Sequence, residues 1–213
     1  MRYYIADCHF FHEALNREMD HRGFASVEEM NEYMIKRWNE KVRNRDEVVI
    51  LGDLSMGNAE QTNDLLDRLQ GKLFLIVGNH DNRYLRSKTF HKERFGWIYP
   101  YAELHDDGRK VILSHYPIAC YNGQYLKNKK GEPRTYMLYG HVHDSHDERL
   151  IEQYQQMVAK TQITDRSGGT QSLSSHMINC FCMYSDYQPL SLDEWIALSK
   201  QRLIRCQNAE DSL

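Results

Sequence analysis

Five times in the first 143 residues, a short apolar run gives way at once to aspartate, asparagine or histidine. Residues 73–77 are the clearest case: Leu-Phe-Leu-Ile-Val is followed by Gly78, Asn79, His80 and Asp81. Five consecutive apolar residues have the length and composition of a strand buried on both faces, and a glycine after them lets the chain turn sharply. Residues 2–6 lead likewise into Asp7-Cys8-His9, residues 47–51 into Gly52-Asp53, residues 109–113 into Ser114-His115, and residues 136–139 into Gly140-His141-Val142-His143. Alone, each polar tip is an ordinary turn residue. Neighbouring strand ends share one edge, however, and in open α/β sheets the carboxyl edge is where ligands bind.

Helical patterns separate the first of these runs. Ser26 and Glu29 form a Ser-x-x-Glu cap ahead of Val27, Met30, Met34 and Trp38, which recur at helical spacing as core residues. Residues 59–69 make the next helix, with Asn58 as its cap. The first 82 residues therefore run strand, helix, strand, helix, strand, the alternation of a largely parallel sheet with helices against it. Residues 82–100, with Arg83, Tyr84, Arg86, Lys88, Lys92 and Arg94, read as a solvated face. Asp106-Asp107-Gly108 between two apolar runs signals a hairpin, and residues 121–134, rich in Gly, Asn and Lys, read as a loop over one side of the sheet. Residues 149–160 place Leu150, Ile151, Tyr154, Met157 and Val158 on one helix face. Residues 161–175 lack an apolar period and are expected to be mobile, and 177–184 form a final strand. Ser191 with Glu194 caps a last helix, followed by a frayed tail at 207–213.

Composition narrows the function classes. A chain of 213 residues with 41% apolar content suits one domain with a sizeable core, spanning residues 1–213. A net charge of -3 gives no general attraction to nucleic acid or anionic membranes, so a phosphate-bearing substrate needs a local cationic site. No apolar run approaches the roughly 18 residues of a membrane span, and no leader pattern opens the chain, so a cytoplasmic protein is expected. The five cysteines are scattered, without C-x-x-C pairs, and read as free thiols. Eleven histidines are many, and imidazole is the commonest metal ligand. In an extended chain Asp7 and His9 project to the same side, as do His141 and His143, so each pair is able to reach a shared cation.

Taken in order, D-x-H, G-D, G-N-H-D, S-H and G-H-V-H resemble the motif set of the calcineurin-like metallophosphoesterases. The pattern covers residues 2–143, and Ile178-Asn179 with residues 187–194 is similar to the closing strand and helix of small bacterial members. The resemblance implies an α/β (α+β) fold, a four-layer α/β/β/α sandwich of two mixed β-sheets flanked by helices. It implies two divalent metal ions, one held by Asp7, His9, Asp53 and His143, the other by Asp53, Asn79, His115 and His141, with Asp53 bridging. Carboxylate, imidazole and amide ligands suit Mn²⁺, Fe²⁺ or Zn²⁺. A cation pair roughly 3.5–4 Å apart lets bridging water lose a proton near neutrality.

The implied activity is hydrolysis of a small phosphoester. A phosphodiester is preferred, because no Arg clamp for a dianionic monoester is evident. His80 would be the general acid, with Asp81 orienting it and raising its pKa, and His80 and Asn79 would both contact substrate. His12 is the further candidate for substrate contact, and Arg83, Arg134 and Tyr116 are candidates to line the pocket. Cys8, between two implied ligands, and Phe181 and Met183, in the closing strand, depart from the usual pattern. A catalytically silent metal-binding scaffold and a nuclease are the competing readings. The second needs a stacking track that the sequence lacks.

Overall fold

The computed structural model describes residues 1–164 and 168–210, and side chains through residue 204. In chain order the elements are β1 (Arg2–Ile5), α1 (Val27–Lys41), β2 (Glu47–Ile50), α2 (Ala59–Arg68), β3 (Lys72–Ile76), α3 (Asn82–Leu85), β4 (Phe95–Tyr99), β5 (Tyr101–Asp106), β6 (Arg109–Ser114), β7 (Thr135–Tyr139), α4 (His146–Lys160), β8 (Gln162–Thr164), β9 (Thr170–Ser172), β10 (Met177–Asn179) and α5 (Leu192–Glu210). The expected caps are present. Ser26 accepts from the Glu29 amide, while Asn58–Gln61 and Ser191–Glu194 each form a reciprocal box.

Strand alternation builds the layers. In the first sheet, ordered β1-β2-β3-β4, Tyr3, Ile5, Val48, Ile50, Leu73 and Leu75 face Met30, Met34, Trp38, Leu65 and Leu66 of the two long helices. The residues between them, Tyr4, Val49 and Ile76, face Val111, Leu113, Tyr136, Leu138 and Ile178 of the second sheet, ordered β10-β7-β6-β5. The outer face of that sheet, with Ile112, Met137 and Met177, packs against Ile151 and Tyr154 of α4. Trp195 of α5 closes the space between the sheets and donates its indole N–H to the Tyr4 carbonyl at 2.9 Å. This is the expected α/β/β/α sandwich. Each fully buried Leu, Ile or Val in it contributes about 1.5–3 kcal/mol.

The four strands of the first sheet all run parallel, and an antiparallel partner enters only at the Tyr4–Leu190 bridge. In the second sheet β5 is antiparallel to β6, and β6, β7 and β10 are parallel. Parallel pairing brings the carboxyl ends of β1, β2 and β3 together, and those of β6 and β7.

Several local expectations are corrected. Residues 82–100 are more than a solvated face: Arg83, Arg86, Lys88 and Lys92 are exposed, but Tyr84, Phe90 and Phe95 enter the core, and β4 forms an edge of the first sheet. Its alternation is interrupted by Gly96, which hid the strand. Helix α4 starts at His146 behind Ser145, and Leu150 and Met157 of its supposed apolar face are exposed. Within 161–175, β8 pairs with β9, while residues 165–167 lie outside the described residues. The last strand ends at Asn179, where the chain turns into a 3-10 segment, Cys182–Ser185. The backbone of α5 continues to Glu210, and residues 211–213 of the expected frayed tail lie outside the described residues.

Candidate metal centre

All seven residues expected to hold metal converge at the carboxyl edge. Asp7, Asp53 and His115 are buried, with exposures of 0%, 2% and 1%. Asp53 occupies the middle. Its Oδ1 accepts the His80 amide at 2.8 Å, which leaves Oδ2 facing His9 Nε2 at 3.5 Å and His115 Nε2 at 3.4 Å. On one side of it, His9 Nε2 lies 3.2 Å from His143 Nε2, and His143 Nε2 lies 3.7 Å from Asp7 Oδ1. On the other, Asn79 Oδ1 sits between His115 Nε2 at 2.9 Å and His141 Nδ1 at 3.0 Å.

The backbone reaches this arrangement by a route that sequence spacing did not indicate. Asp7, His9, Asp53, His141 and His143 all have positive φ, between +49° and +71°. Of the two pairs that lie two apart, Asp7 and His9 reach one group, as expected, and His141 and His143 part. His141 turns to the Asn79 group, and His143 to the Asp7 group. Left-handed non-glycine residues cost roughly 1–2 kcal/mol each and cluster where a site over-determines them. Glycines make room for the same crowding. Gly52 has φ of +89°, and a Cβ there would fall 2.3 Å from His115 Nδ1; at Gly78 one would fall 2.2 Å from Asp53 Oδ1.

Electrostatics separate the two carboxylates. Burial pushes Asp7 up, to about 6, against the pull of His143 and His115. Burial would raise Asp53 too, but hydrogen bonding and charge from His115, with His9 beyond it, hold it at about 2. His115 responds in kind: burial disfavours its charged form, yet Asp53 and Asp7 raise it to about 9. Burial lowers His9 well below the ordinary imidazole value, and its Nδ1 is buried without a hydrogen-bond partner. The donor set fits a pair of divalent cations. Asp7, His9 and His143 offer one ligand atom each within 4.8 Å of one another, and so do Asp7, Asp53 and His115. Oxygen and imidazole donors without thiolate suit borderline cations.

A cavity of about 350 Å³ opens over the centre. His9, His12, Asp20, Asp53, Asn79, His80, His141 and His143 line it together with Leu15, Met19, Val142 and the Asp144–Ser145 turn. His80 is about two-fifths exposed, with Nε2 4.0 Å from Asp53 Oδ2. The His12 ring lies 6.4 Å from that of His80. Among the described residues no Lys or Arg lines the cavity, and Arg83 and Arg134 are not the pocket residues considered above. Tyr116 stands outside it, edge-on to His141 at 4.5 Å.

The expectation that Asp81 orients His80 is also corrected. Its carboxylate accepts the amides of Asp53 and Leu54, both at 2.9 Å, the Gly78 amide at 2.7 Å and the Tyr84 hydroxyl at 2.7 Å. It ties the turn after β2 to the turn after β3, behind the site. Sequence reasoning also missed Asp20, 2.8 Å from His143 Nδ1, and Asn179, which donates to the His143 carbonyl at 2.9 Å. Asp20 has no apolar run before it, so no pattern marked it. Phe181, one of the departures noted in the sequence, stacks on the His143 ring at 4.7 Å.

Comparison with known proteins agrees with this fold. The chain is 31% identical over 209 residues to an uncharacterised protein of Methanocaldococcus jannaschii, covering 97% of this chain and 96% of that one. It is 27% identical over 167 residues to the gene 66 protein of Mycobacterium phage L5, covering 66% and 76% respectively. Its fold resembles the crystal structure of AQ665, a protein of unknown function from Aquifex aeolicus, with a TM-score of 0.62, 23% identity and coverage of 91% and 96%. No helix among the described residues is long and apolar enough to cross a membrane. The model of the calcineurin-like phosphoesterases matches residues 3–194, nearly the whole of the sandwich, and the chain belongs to that family.

Proposed function

We propose that this protein, a single domain, is a dinuclear metal-dependent hydrolase of small phosphodiesters. The observation that carries the reading is the position of Asp53 Oδ2, one oxygen facing imidazoles of two clusters at 3.5 and 3.4 Å. Asp7, His9, Asp53 and His143 would hold one cation, and Asp53, Asn79, His115 and His141 the other. Such a pair supplies a deprotonated water near neutrality and neutralises charge on the phosphoryl group. A cavity lined by no Lys or Arg among the described residues supports a monoanionic diester over a dianionic monoester, and speaks against a polynucleotide track.

The chain's own residues complete the chemistry. His80 is fixed through its backbone amide to Asp53, while its ring stays exposed to the cavity. It is placed to give a proton to the departing oxygen or to meet developing charge on the ester. Asp81 acts at one remove, since it fixes the amides of Asp53 and Leu54 and so the height of the bridging carboxylate. His12, in the cavity lining with its ring 6.4 Å from that of His80, is the further substrate contact.

The test is hydrolysis of bis-p-nitrophenyl phosphate with Mn²⁺, Fe²⁺ or Zn²⁺ and its loss on chelation. Two bound equivalents of metal with no turnover on a panel of diesters, monoesters and cyclic nucleotides would favour a silent scaffold. Salt-dependent cleavage of single-stranded nucleic acid would favour a nuclease.

A further inference from the structure

Residues 10–23 form a bracket over one half of the centre. Leu15–Met19 is a single turn of π-helix with Leu15 and Asn16 buried. Asn16 clamps Phe24 in both directions, donating to its carbonyl at 2.8 Å and accepting its amide at 2.9 Å. The Arg22 guanidinium, fully buried, grips three neighbours at once. It donates to Asp20 Oδ2 through Nε at 3.0 Å and Nη2 at 2.9 Å, to the Cys8 carbonyl at 2.7 Å and to the Asp7 carbonyl at 3.1 Å. One cation thus pins the left-handed turn carrying Asp7 and holds the Asp20 carboxylate in place. Asp20 Oδ1 is left free to meet His143 Nδ1 at 2.8 Å.

We infer that Asp20 is a positioning residue for His143: its carboxylate, anchored by Arg22, accepts the Nδ1–H hydrogen bond and keeps Nε2 turned toward Asp7 and His9. The inference rests on the two-cation reading above and adds a residue to it. Phe181 fixes the plane of the imidazole, since the rings stack at 20°, but a stacked ring still flips about its χ2 axis. Asn179 and Tyr184 hold only the His143 backbone carbonyl. Asp20 is the contact that tells the nitrogen edge of the ring from its carbon edge at this position, because the flipped ring would present Cδ2 to it. A carboxylate partner on the far nitrogen also makes the ligating nitrogen more basic.

The experiment titrates Mn²⁺ into the metal-free full chain by calorimetry, with circular dichroism to verify folding. In Asp20→Ala, affinity at one of two sites is expected to fall about 10–100-fold while the other changes by less than about twofold. Asp20→Asn, which keeps an acceptor oxygen but loses the charge, is expected to fall between. Nitrogen NMR of the metal-free protein gives a second readout: His143 moves from a single Nδ1–H tautomer to a mixture. A folded Asp20→Ala or Asp20→Asn chain with both affinities and the tautomer unchanged overturns the inference while the dinuclear reading stands. Absence of binding to the unaltered chain removes both.

Discussion

The sandwich has a cleft at each end of its strands, and the larger one is not the candidate site. At the amino ends of β6 and β7 a cleft of about 480 Å³ is lined by Asp107, Arg109, Glu132, Arg134, Asp193 and Lys200, three carboxylates facing three cationic side chains. Its charges are compensated in place, as where Arg109 meets Asp193 at 2.5 Å. The carboxyl-edge cavity is smaller, about 350 Å³, and among the described residues no Lys or Arg lines it; of its carboxylates Asp20 is paired, with buried Arg22, while Asp53 Oδ2 faces only imidazoles. The difference teaches that convergence of buried carboxylate and imidazole donors on one point marks a site where volume does not. An exposed ion pair is already solvated and contributes little, whereas carboxylates buried with imidazole nitrogens turned to the same point form a ready set of cation ligands.

Substitution of one residue from each cleft probes the contrast most strongly. Asp53→Asn is expected to lower diester hydrolysis on the order of 10³-fold and to reduce bound metal. Arg134→Ala at the opposite end should stay within about twofold of the unaltered chain, in kcat and in metal content. A large loss from Arg134→Ala would make the amino-end cleft functional and break the comparison. His80→Ala sharpens it further. Metal content should persist while kcat falls about 10²-fold for diesters with poor leaving groups, with a smaller loss for p-nitrophenyl esters, whose leaving group needs no proton.

Backbone crowding differs between the clefts in the same sense. Gly52 and Gly108 both have positive φ, but a Cβ at Gly108 meets nothing within 4 Å, whereas at Gly52 it strikes His115. Urea denaturation should give a loss of about 2–4 kcal/mol for Gly52→Ala, from left-handed strain plus overpacking. For Gly108→Ala, strain alone costs about 1 kcal/mol. Equal losses would show that the carboxyl edge is no more tightly built than the hairpin.

The smallest effect lies behind the site. Glu148 is buried under the 141–143 turn, bonded to the Tyr139 hydroxyl at 2.8 Å and Asn179 Nδ2 at 3.0 Å, with Arg202 Nη1 at 3.7 Å. Burial raises it to about 7, against the pull of Tyr139, Arg202 and Asn179 and with Glu152 adding to the rise. Its folded value exceeds the ordinary one near 4.5, so the folded state keeps a proton that the unfolded state has lost. Stability from this group is full at low pH, declines as pH rises from about 4.5 to 7, and is flat above. Glu148→Gln should therefore gain on the unaltered metal-free chain by about 1–3 kcal/mol between pH 4.5 and 7.5, read from denaturation midpoints. A parallel pair of pH profiles would refute it.

Much of the fold was legible because its signals are local. Apolar runs of four or five residues, Ser and Asn caps and the Asp107-Gly108 turn each depend on neighbours in the chain. β4 was not, since Gly96 and the charges around it mask residues that enter the core only when α2 and β3 are in place. Asp20 and Arg22 escaped notice because their meaning lies in residues more than 100 positions away and in the carbonyls of a strained turn.

The sequence by itself determined which residue types stand at the ends of which strands, and hence oxygen and imidazole donors along one edge of a sheet; the sandwich came from the resemblance to the family. Tertiary structure alone decided which oxygen of Asp53 lies between two histidines, that Asp81 ties two turns together behind the site, and which nitrogen of His143 is presented. Strand ends are set by patterns of period two, a property of neighbours in the chain. The aim of a side chain depends on φ values that only the assembled sheets hold in the left-handed region.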